Sequence, residues 1–134
     1  MKRIVFLITL CIMAAVSLMA QSEVDCVEVV YFHGKQRCVT CNAIEKLSCE
    51  VVTQDFVAKY KEGKVTFRVV DFSTPEGHQI AKQYKVTYSS LFLNKHASGK
   101  VTRYNLTRFA FRNAKNRPDE FKKGLKSKII EILK

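Results

Sequence analysis

The hydrophobic positions of the chain change period several times, and each change marks a new element. Residues 26–32 form a near-continuous apolar run that predicts a central strand covered on both faces, with Glu28 near its less buried start. From about Val39 to about Tyr60 apolar residues recur on one broad side at helical spacing, which predicts one long amphipathic helix. Residues 65–71 then predict a second strand, whose polar positions favour the edge of a sheet.

The second half of the chain predicts a helix, a hairpin and two more helices. Ser73 supplies a hydroxyl cap, Pro75 fits a first helical turn, and Glu76 follows Ser73 by three residues, so a short helix should begin here. The remaining predicted elements are strands at 87–93 and 100–104 around a turn at 94–99, a helix at 106–114, and an amphipathic helix from Pro118 onward.

The resulting order is β-α-β-α-β-β-α. A crossover helix joins the first two strands, so they should be parallel, whereas the last two strands should form an antiparallel hairpin. This order predicts an α/β fold of the thioredoxin-like kind, with a four-stranded mixed sheet flanked by helices. The length after the N-terminal segment is enough for one domain, which we place at residues 21–134.

The first twenty residues have the pattern of a signal peptide. Lys2 and Arg3 are basic, residues 4–18 are almost wholly apolar, and Ala20 is a suitable cleavage point. The apolar run is short for a membrane span, which needs about 20 residues, although an uncleaved anchor is the alternative. We therefore expect an exported, periplasmic or extracytoplasmic protein, in a compartment where disulfides persist.

Cys38 and Cys41 form a Cys-x-x-Cys motif between the first strand and the long helix. A strand, a short loop and Cys-x-x-Cys at the start of a helix is the arrangement of a thioredoxin-like redox site. Unpaired N–H groups and the helix dipole favour a thiolate there, and Lys35, Arg37 and a protonated His33 would add positive charge. We expect Cys38 to attack a disulfide of a partner protein and Cys41 to resolve the mixed disulfide, with the direction of the reaction left open.

Two other uses of the pair stay open at this point. The cysteines could form a permanent structural disulfide, or a redox-inert binding or electron-transfer subunit could hold a soft metal or arsenite through the thiolates. A metal site needs more ligands, of which His33 is the nearest, while Cys49 lies about 16 Å along the helix from Cys38. The sequence has no Gly-rich phosphate loop and no catalytic carboxylate or Ser/His/Asp motif, so we expect neither a cofactor nor a resident metal.

The positive charge of the chain is concentrated in its C-terminal part. Residues 21–94 carry nine Lys or Arg and nine Asp or Glu, whereas residues 95–134 carry twelve basic and three acidic residues. Such a surface can attract an anionic partner or a membrane surface, or can simply be a solvated helix face. Nucleic acid is not expected, because no basic motif is interleaved with aromatic residues.

Four segments carry a resemblance to a known group of proteins: residues 29–41, 69–77, 86–91 and 105–111. They resemble small exported bacterial thioredoxin-like proteins, a family commonly labelled as nitrophenyl-compound nitroreductase subunits and associated with arsenic-resistance operons. The resemblance covers nearly all of the mature chain and implies a thioredoxin-like fold.

Comparison with thioredoxins themselves shows three departures. Arg37 replaces the Trp that precedes the first Cys, and Phe32, six residues before Cys38, stands where a buried carboxylate is expected. Ser90 falls near the position of the cis-proline of the substrate groove, and a Ser there should keep a trans peptide. The candidate substrate-binding residues are accordingly Ser89 and Ser90, together with His33 and Arg37.

The remaining cysteines of the mature chain, Cys26 and Cys49, suggest a second, structural disulfide. Cys26 begins the first strand and Cys49 lies about 12 Å down the helix from Cys41, so both should lie away from the motif. The alternative is that both are small buried apolar residues.

Overall fold

The computed structural model of the chain describes residues 26–134, so the predicted signal peptide lies outside the described residues. The strands are β1 (Cys26–His33), β2 (Val65–Asp71), β3 (Ser90–Ala97) and β4 (Lys100–Asn105). The helices are α1 (Val39–Glu50), continued by a π-helical segment (Val51–Asp55), α2 (Val57–Lys61), α3 (Pro75–Tyr84), α4 (Thr107–Asn113) and α5 (Pro118–Leu133). None of these helices is both long enough and apolar enough to span a bilayer.

The four strands form one mixed sheet in the order β2-β1-β3-β4. β1 pairs in parallel with β2 and antiparallel with β3, and β3 pairs antiparallel with β4. The predicted four-stranded mixed sheet, the edge position of β2 and the hairpin are therefore confirmed. The pairing also brings the C-terminal ends of β1 and β4 and the start of β3 to the same edge of the sheet, which here means the edge formed by strand ends and not the edge strand β2.

The side chains of β1 alternate between two hydrophobic cores. Val27, Val29 and Tyr31 pack into the larger core, with Ile44 of α1 and Phe121 of α5 among its members. Val30 and Phe32 pack into a smaller core on the other face, which includes Ala81 of α3. β1 is thus buried on both faces, as its continuous apolar run predicts.

The helical span predicted over 39–60 forms in large part but is not one regular α-helix, because α1 ends at Glu50 and α2 begins only at Val57. The chain forms a π-helical segment at Val51–Asp55, and Phe56 leaves helical geometry with φ −118° and ψ 33°. A π-helical turn brings residues five apart closer to one side, so Val51, Val52 and Phe56 can all be buried, as they are. Burial of these three side chains accounts for a break that the periodicity alone does not predict.

Two other predicted boundaries differ in the structure. Thr74, not Ser73, caps α3: its hydroxyl oxygen accepts a hydrogen bond from the Gly77 N–H at 3.1 Å. β3 begins at Ser90 instead of Thr87 and continues to Ala97, and the predicted turn at 94–99 shrinks to two residues. Ser98 and Gly99 have φ of 51° and 71°, the left-handed pair that closes tight hairpins.

Candidate functional site

Cys38 and Cys41 form a disulfide at the start of α1, with their Cα atoms 5.0 Å apart. Cys38 is the N-cap residue in extended conformation, and its Sγ accepts a hydrogen bond from the backbone N–H of Cys41 at 3.0 Å. Cys38 is exposed, whereas Cys41 is only 6% exposed. One sulfur of the pair is therefore open to a partner and the other is held beneath it.

The loop that leads from β1 to Cys38 lies close to the end of β2. The Phe72 N–H donates to the His33 carbonyl at 2.9 Å, and a Cβ at Gly34 would come within 2.8 Å of the Phe72 ring. A side chain at position 34 would therefore have to displace the Phe72 ring. Phe72 thus helps to fix the loop that carries the disulfide.

His33 and Arg37 flank this loop. The Nδ1 of His33 lies 2.9 Å from the Gly34 carbonyl oxygen, and its ring centroid is 6.1 Å from that of Tyr31. The guanidinium of Arg37 pairs with Glu45 of α1. His33 and Arg37 thus both lie at the sheet edge that carries the disulfide, and Arg37 is already paired with a carboxylate.

Ser89 and Ser90 lie at the same edge, because Ser90 is opposite Phe32 in the β1–β3 pairing. Ser90 is buried, and its hydroxyl donates to the Tyr88 carbonyl at 2.8 Å, so its proton is used within the chain. The peptide bonds here are trans, since residues 26–134 contain no cis peptide. Ser89 is half-buried, and both serines stay predicted substrate-binding residues.

Tyr31, the neighbour of Phe32 in β1, is fully buried in the larger core. Phe32, expected in place of a buried carboxylate, faces α3, whereas Tyr31 faces the core that contains α1. The Tyr31 hydroxyl is buried without a hydrogen bond of good geometry. Burial raises the pKa of Tyr31, and a weak Ser89 hydroxyl contact and the Arg37 charge oppose that rise. The alternation of β1 side chains groups Tyr31 with Val27 and Val29 on one face, and the fold shows that this face packs against α1.

Asp71 ends β2 opposite His33. Its Oδ1 accepts hydrogen bonds from the Ser73 hydroxyl at 2.6 Å and from the Ser73 N–H at 2.9 Å. These bonds, followed by the nearby charges of His33 and Arg37, lower the pKa of Asp71 below its ordinary value. Asp71 therefore adds a fixed negative charge beside the loop.

The hypothesis of a Cys26–Cys49 disulfide is wrong in this structure, where both are free thiols. Cys26 and Glu28 lie on the same face of β1. Glu28 accepts a hydrogen bond from Asn94, which also donates to Tyr84 of α3, so this is the face that α3 covers. Cys49 lies on α1, which covers the opposite face. Cys26 and Cys49 both lie away from the motif along β1 and α1, but this does not bring their sulfurs together. Alternate side chains of a strand point to opposite faces, so the sheet itself separates the two sulfurs.

Within residues 26–134, no group of three or more His, Cys, Asp or Glu side chains is placed to hold a metal ion. The donor atoms at the disulfide are two sulfurs, and a thiolate site for a metal usually needs further ligands. What the described residues offer is a Cys38–Cys41 disulfide at the start of α1.

Comparison with solved structures identifies the architecture. A thioredoxin from Thermus thermophilus, solved in solution, matches with a TM-score of 0.50 and 20% identity, over 79% of this chain and 75% of that chain. The chain has a thioredoxin-like fold. A structure described as a malarial protein matches with a TM-score of 0.41 and 18% identity, over 65% of this chain and 93% of that one. No protein-family model matches the chain, and no curated protein matches it.

Proposed function

We propose that this thioredoxin-like chain is a thiol–disulfide oxidoreductase whose reacting atoms are the sulfurs of Cys38 and Cys41. The observation that carries the proposal is the unequal environment of the two sulfurs. Cys38 is exposed and its Sγ accepts the Cys41 N–H, while Cys41 is buried one turn further along α1. A backbone N–H and a helix N-terminus both stabilise a thiolate at Cys38.

The reaction follows from these positions. The Cys38 thiolate attacks one sulfur of a partner disulfide, so a Cys38–partner bond forms, the partner S–S bond breaks, and one partner sulfur leaves as thiolate. Cys41 then loses its proton and attacks the Cys38 Sγ, which closes the intramolecular disulfide and releases the second partner sulfur. Two electrons and two protons pass from the dithiol to the partner, and oxidation of a partner runs through the same steps in reverse.

The proposal includes a location and a partner class. The apolar run at residues 4–18 after Lys2 and Arg3 supports export, and an oxidising compartment supplies protein disulfides. Membership in the exported bacterial family named above is part of the same proposal and rests on the segments quoted for it.

Thiol trapping in graded dithiothreitol or glutathione buffers tests the function. We expect one reversible two-electron transition that involves Cys38 and Cys41, with alkylation of Cys38 ahead of Cys41 in the reduced form. A pair that stays oxidised in strong reductant without denaturant, or thiols that copurify with a metal, would support the redox-inert binding subunit instead.

Trapping of the mixed disulfide adds a matched test. Cys41→Ser removes the resolving thiol, so we expect a partner or model disulfide protein to stay attached to Cys38 until dithiothreitol is added. Cys49→Ser, in the same helix but away from the disulfide, should give no such adduct. Equal adducts in both variants would contradict the assignment of Cys41.

A further inference from the structure

A polar cavity of about 500 Å³ lies at the start of α4, with Tyr88, Asn105, Arg108 and Arg112 among its lining residues. Tyr88 precedes β3, and Asn105 ends β4. The strand pairing puts both at the sheet edge that carries the loop to Cys38. Neither Cys38 nor Cys41 lines the cavity. The cavity is therefore separate from the disulfide but lies at the same edge of the sheet.

The charge in this cavity is unbalanced. Arg108 and Arg112 are four residues apart, so their side chains lie on one face of α4, where like charges repel. No acidic residue lines the cavity, and neither arginine forms an ion pair within residues 26–134. The sequence from Lys95 to Pro118 contains no Asp or Glu at all. An anion in the cavity would relieve this repulsion.

The backbone around the cavity is held in place by hydrogen bonds. The Thr107 hydroxyl accepts the Leu91 N–H at 3.1 Å, and the Leu106 N–H donates to the Leu91 carbonyl at 2.8 Å. The side-chain Oδ1 of Asn105 accepts a hydrogen bond from the Thr107 N–H at 2.9 Å, which leaves the side-chain amide nitrogen as a donor. Tyr88 is 62% exposed. The cavity thus offers two guanidiniums, an amide and an exposed aromatic ring on a fixed frame.

We infer that this cavity binds a carboxylate side chain of an acidic segment in the disulfide-bearing partner, beside the bond that Cys38 attacks. The inference rests on the proposed function for the identity of the partner. Guanidinium groups bind carboxylates through paired, charge-assisted hydrogen bonds, and Tyr88 can cover the aliphatic part of the bound segment. A protein segment is favoured over a lipid or nucleic acid because Tyr88 and Asn105, which line the cavity, lie at the sheet edge that carries the redox pair.

Binding can be measured without any redox step. The probe is a cysteine-free hexapeptide rich in Asp and Glu, and its control is the same peptide with Lys at the acidic positions. NMR titration at low ionic strength should shift the side-chain N–H resonances of Arg108 and Arg112 with the acidic peptide only. Absence of these shifts overturns the inference.

Charge-matched variants separate the cavity from the general basic surface. R108Q/R112Q should weaken binding of the acidic peptide by about tenfold, the loss expected from charge-assisted hydrogen bonds. K123Q/K126Q removes the same charge from exposed positions of α5 and should leave binding nearly unchanged. Equal losses in both variants, or tighter binding of inorganic phosphate or a DNA oligonucleotide at these arginines, would contradict a carboxylate site.

A kinetic experiment distinguishes failure of this inference from failure of the proposed function. The reduced protein is mixed with disulfide peptides that carry acidic or basic flanks, and the exchange rates are compared. Exchange rates that do not depend on the charge of the flanks would support the redox proposal and overturn the cavity assignment. Binding of the acidic peptide without any disulfide exchange would overturn the redox proposal and leave the cavity as a carboxylate site.

Discussion

Gly77, in the first turn of α3, lies so close to Asp71 that a Cβ at position 77 would overlap the Asp71 carbonyl oxygen. The same carbonyl accepts hydrogen bonds from the N–H and the hydroxyl of Thr74, which caps the helix. The turn between β2 and α3 is therefore built around a residue without a side chain.

Gly77→Ala should destabilise the fold by about 1–3 kcal/mol, because the new methyl group must displace backbone atoms. Urea unfolding monitored by circular dichroism measures the change. Gln79→Ala, at an exposed position of the same helix, is the matched control and should be almost neutral. A Gly77→Ala protein as stable as the control would contradict the close contact.

Asn94 holds a buried polar cluster on the face of the sheet that α3 covers. It is fully buried, and its amide nitrogen donates to Glu28 Oε2 at 3.0 Å and to the Tyr84 hydroxyl at 2.6 Å. Asn94→Ala should cost about 1.5–3 kcal/mol of unfolding free energy, since a partly buried carboxylate loses its donor.

A double-mutant cycle with Glu28→Ala isolates the Asn94–Glu28 interaction, and we expect a coupling of at least about 1 kcal/mol. Arg68→Gln is the control, because Arg68 lies 3.9 Å from Glu28 and is half-exposed, so its pair with Glu28 should contribute less than about 1 kcal/mol. Additive effects of Asn94→Ala and Glu28→Ala would show that the two residues do not interact.

Tyr31→Phe should leave the fold intact and alter its alkaline stability. Burial raises the pKa of Tyr31 above the ordinary value of 10.0, so the unfolded chain releases this proton first and stability falls as pH rises through that value. The variant lacks the ionisable group, and its unfolding free energy should fall less steeply in that range. Because the hydroxyl has no good partner, its loss should cost no more than about 1 kcal/mol at neutral pH.

Spectrophotometric titration supplies the direct check on Tyr31. The wild-type protein should show a tyrosine ionisation above the ordinary value of 10.0, and Tyr31→Phe should remove that step. Tyr60→Phe, at a position 44% exposed, is the matched control and should leave that late step in place. A Tyr31→Phe protein that still shows the late step would assign it to another tyrosine.

Cys26 and Cys49 should both react with alkylating reagents in protein whose Cys38–Cys41 disulfide is intact. Burial raises the pKa of the Cys26 thiol, and the Glu28 charge adds to the effect while Thr66 opposes it. Cys26 should thus stay protonated at neutral pH, react slowly, and gain rate until the pH exceeds 9.0, the ordinary value. Mass spectrometry after timed alkylation follows each site, and detection of a Cys26–Cys49 peptide would contradict the separation of the two thiols.

Local patterns were enough to predict most of the fold. The continuous apolar run of β1, the polar positions of β2 and Pro75 in the first turn of α3 each depend on a few neighbouring residues, and all three elements form where expected, although Thr74 and not Ser73 caps α3. The π-helical segment was not predictable, since it forms to bury Val51, Val52 and Phe56 against elements distant in sequence.

The site was predicted less completely than the fold. Cys38 and Cys41 were found because their spacing is itself the motif. The Arg108–Arg112 cavity was not predicted, because it is lined by residues from several elements that only the folded chain brings together. The face of β1 that α1 covers, and hence the side on which Tyr31 lies, likewise depends on the fold.

The two cores differ in size, and this inequality has a consequence for local unfolding. Among residues 26–134, the core beneath α3 contains five buried residues, whereas the other core contains seventeen. α3 should therefore detach from the sheet at lower free energy than α1 or α5, and its amides should exchange with solvent first. Detachment would also release Phe72, whose ring packs on Gly34. Brief opening of α3 would then loosen the loop that carries Cys38 while the helix that holds Cys41 stays folded.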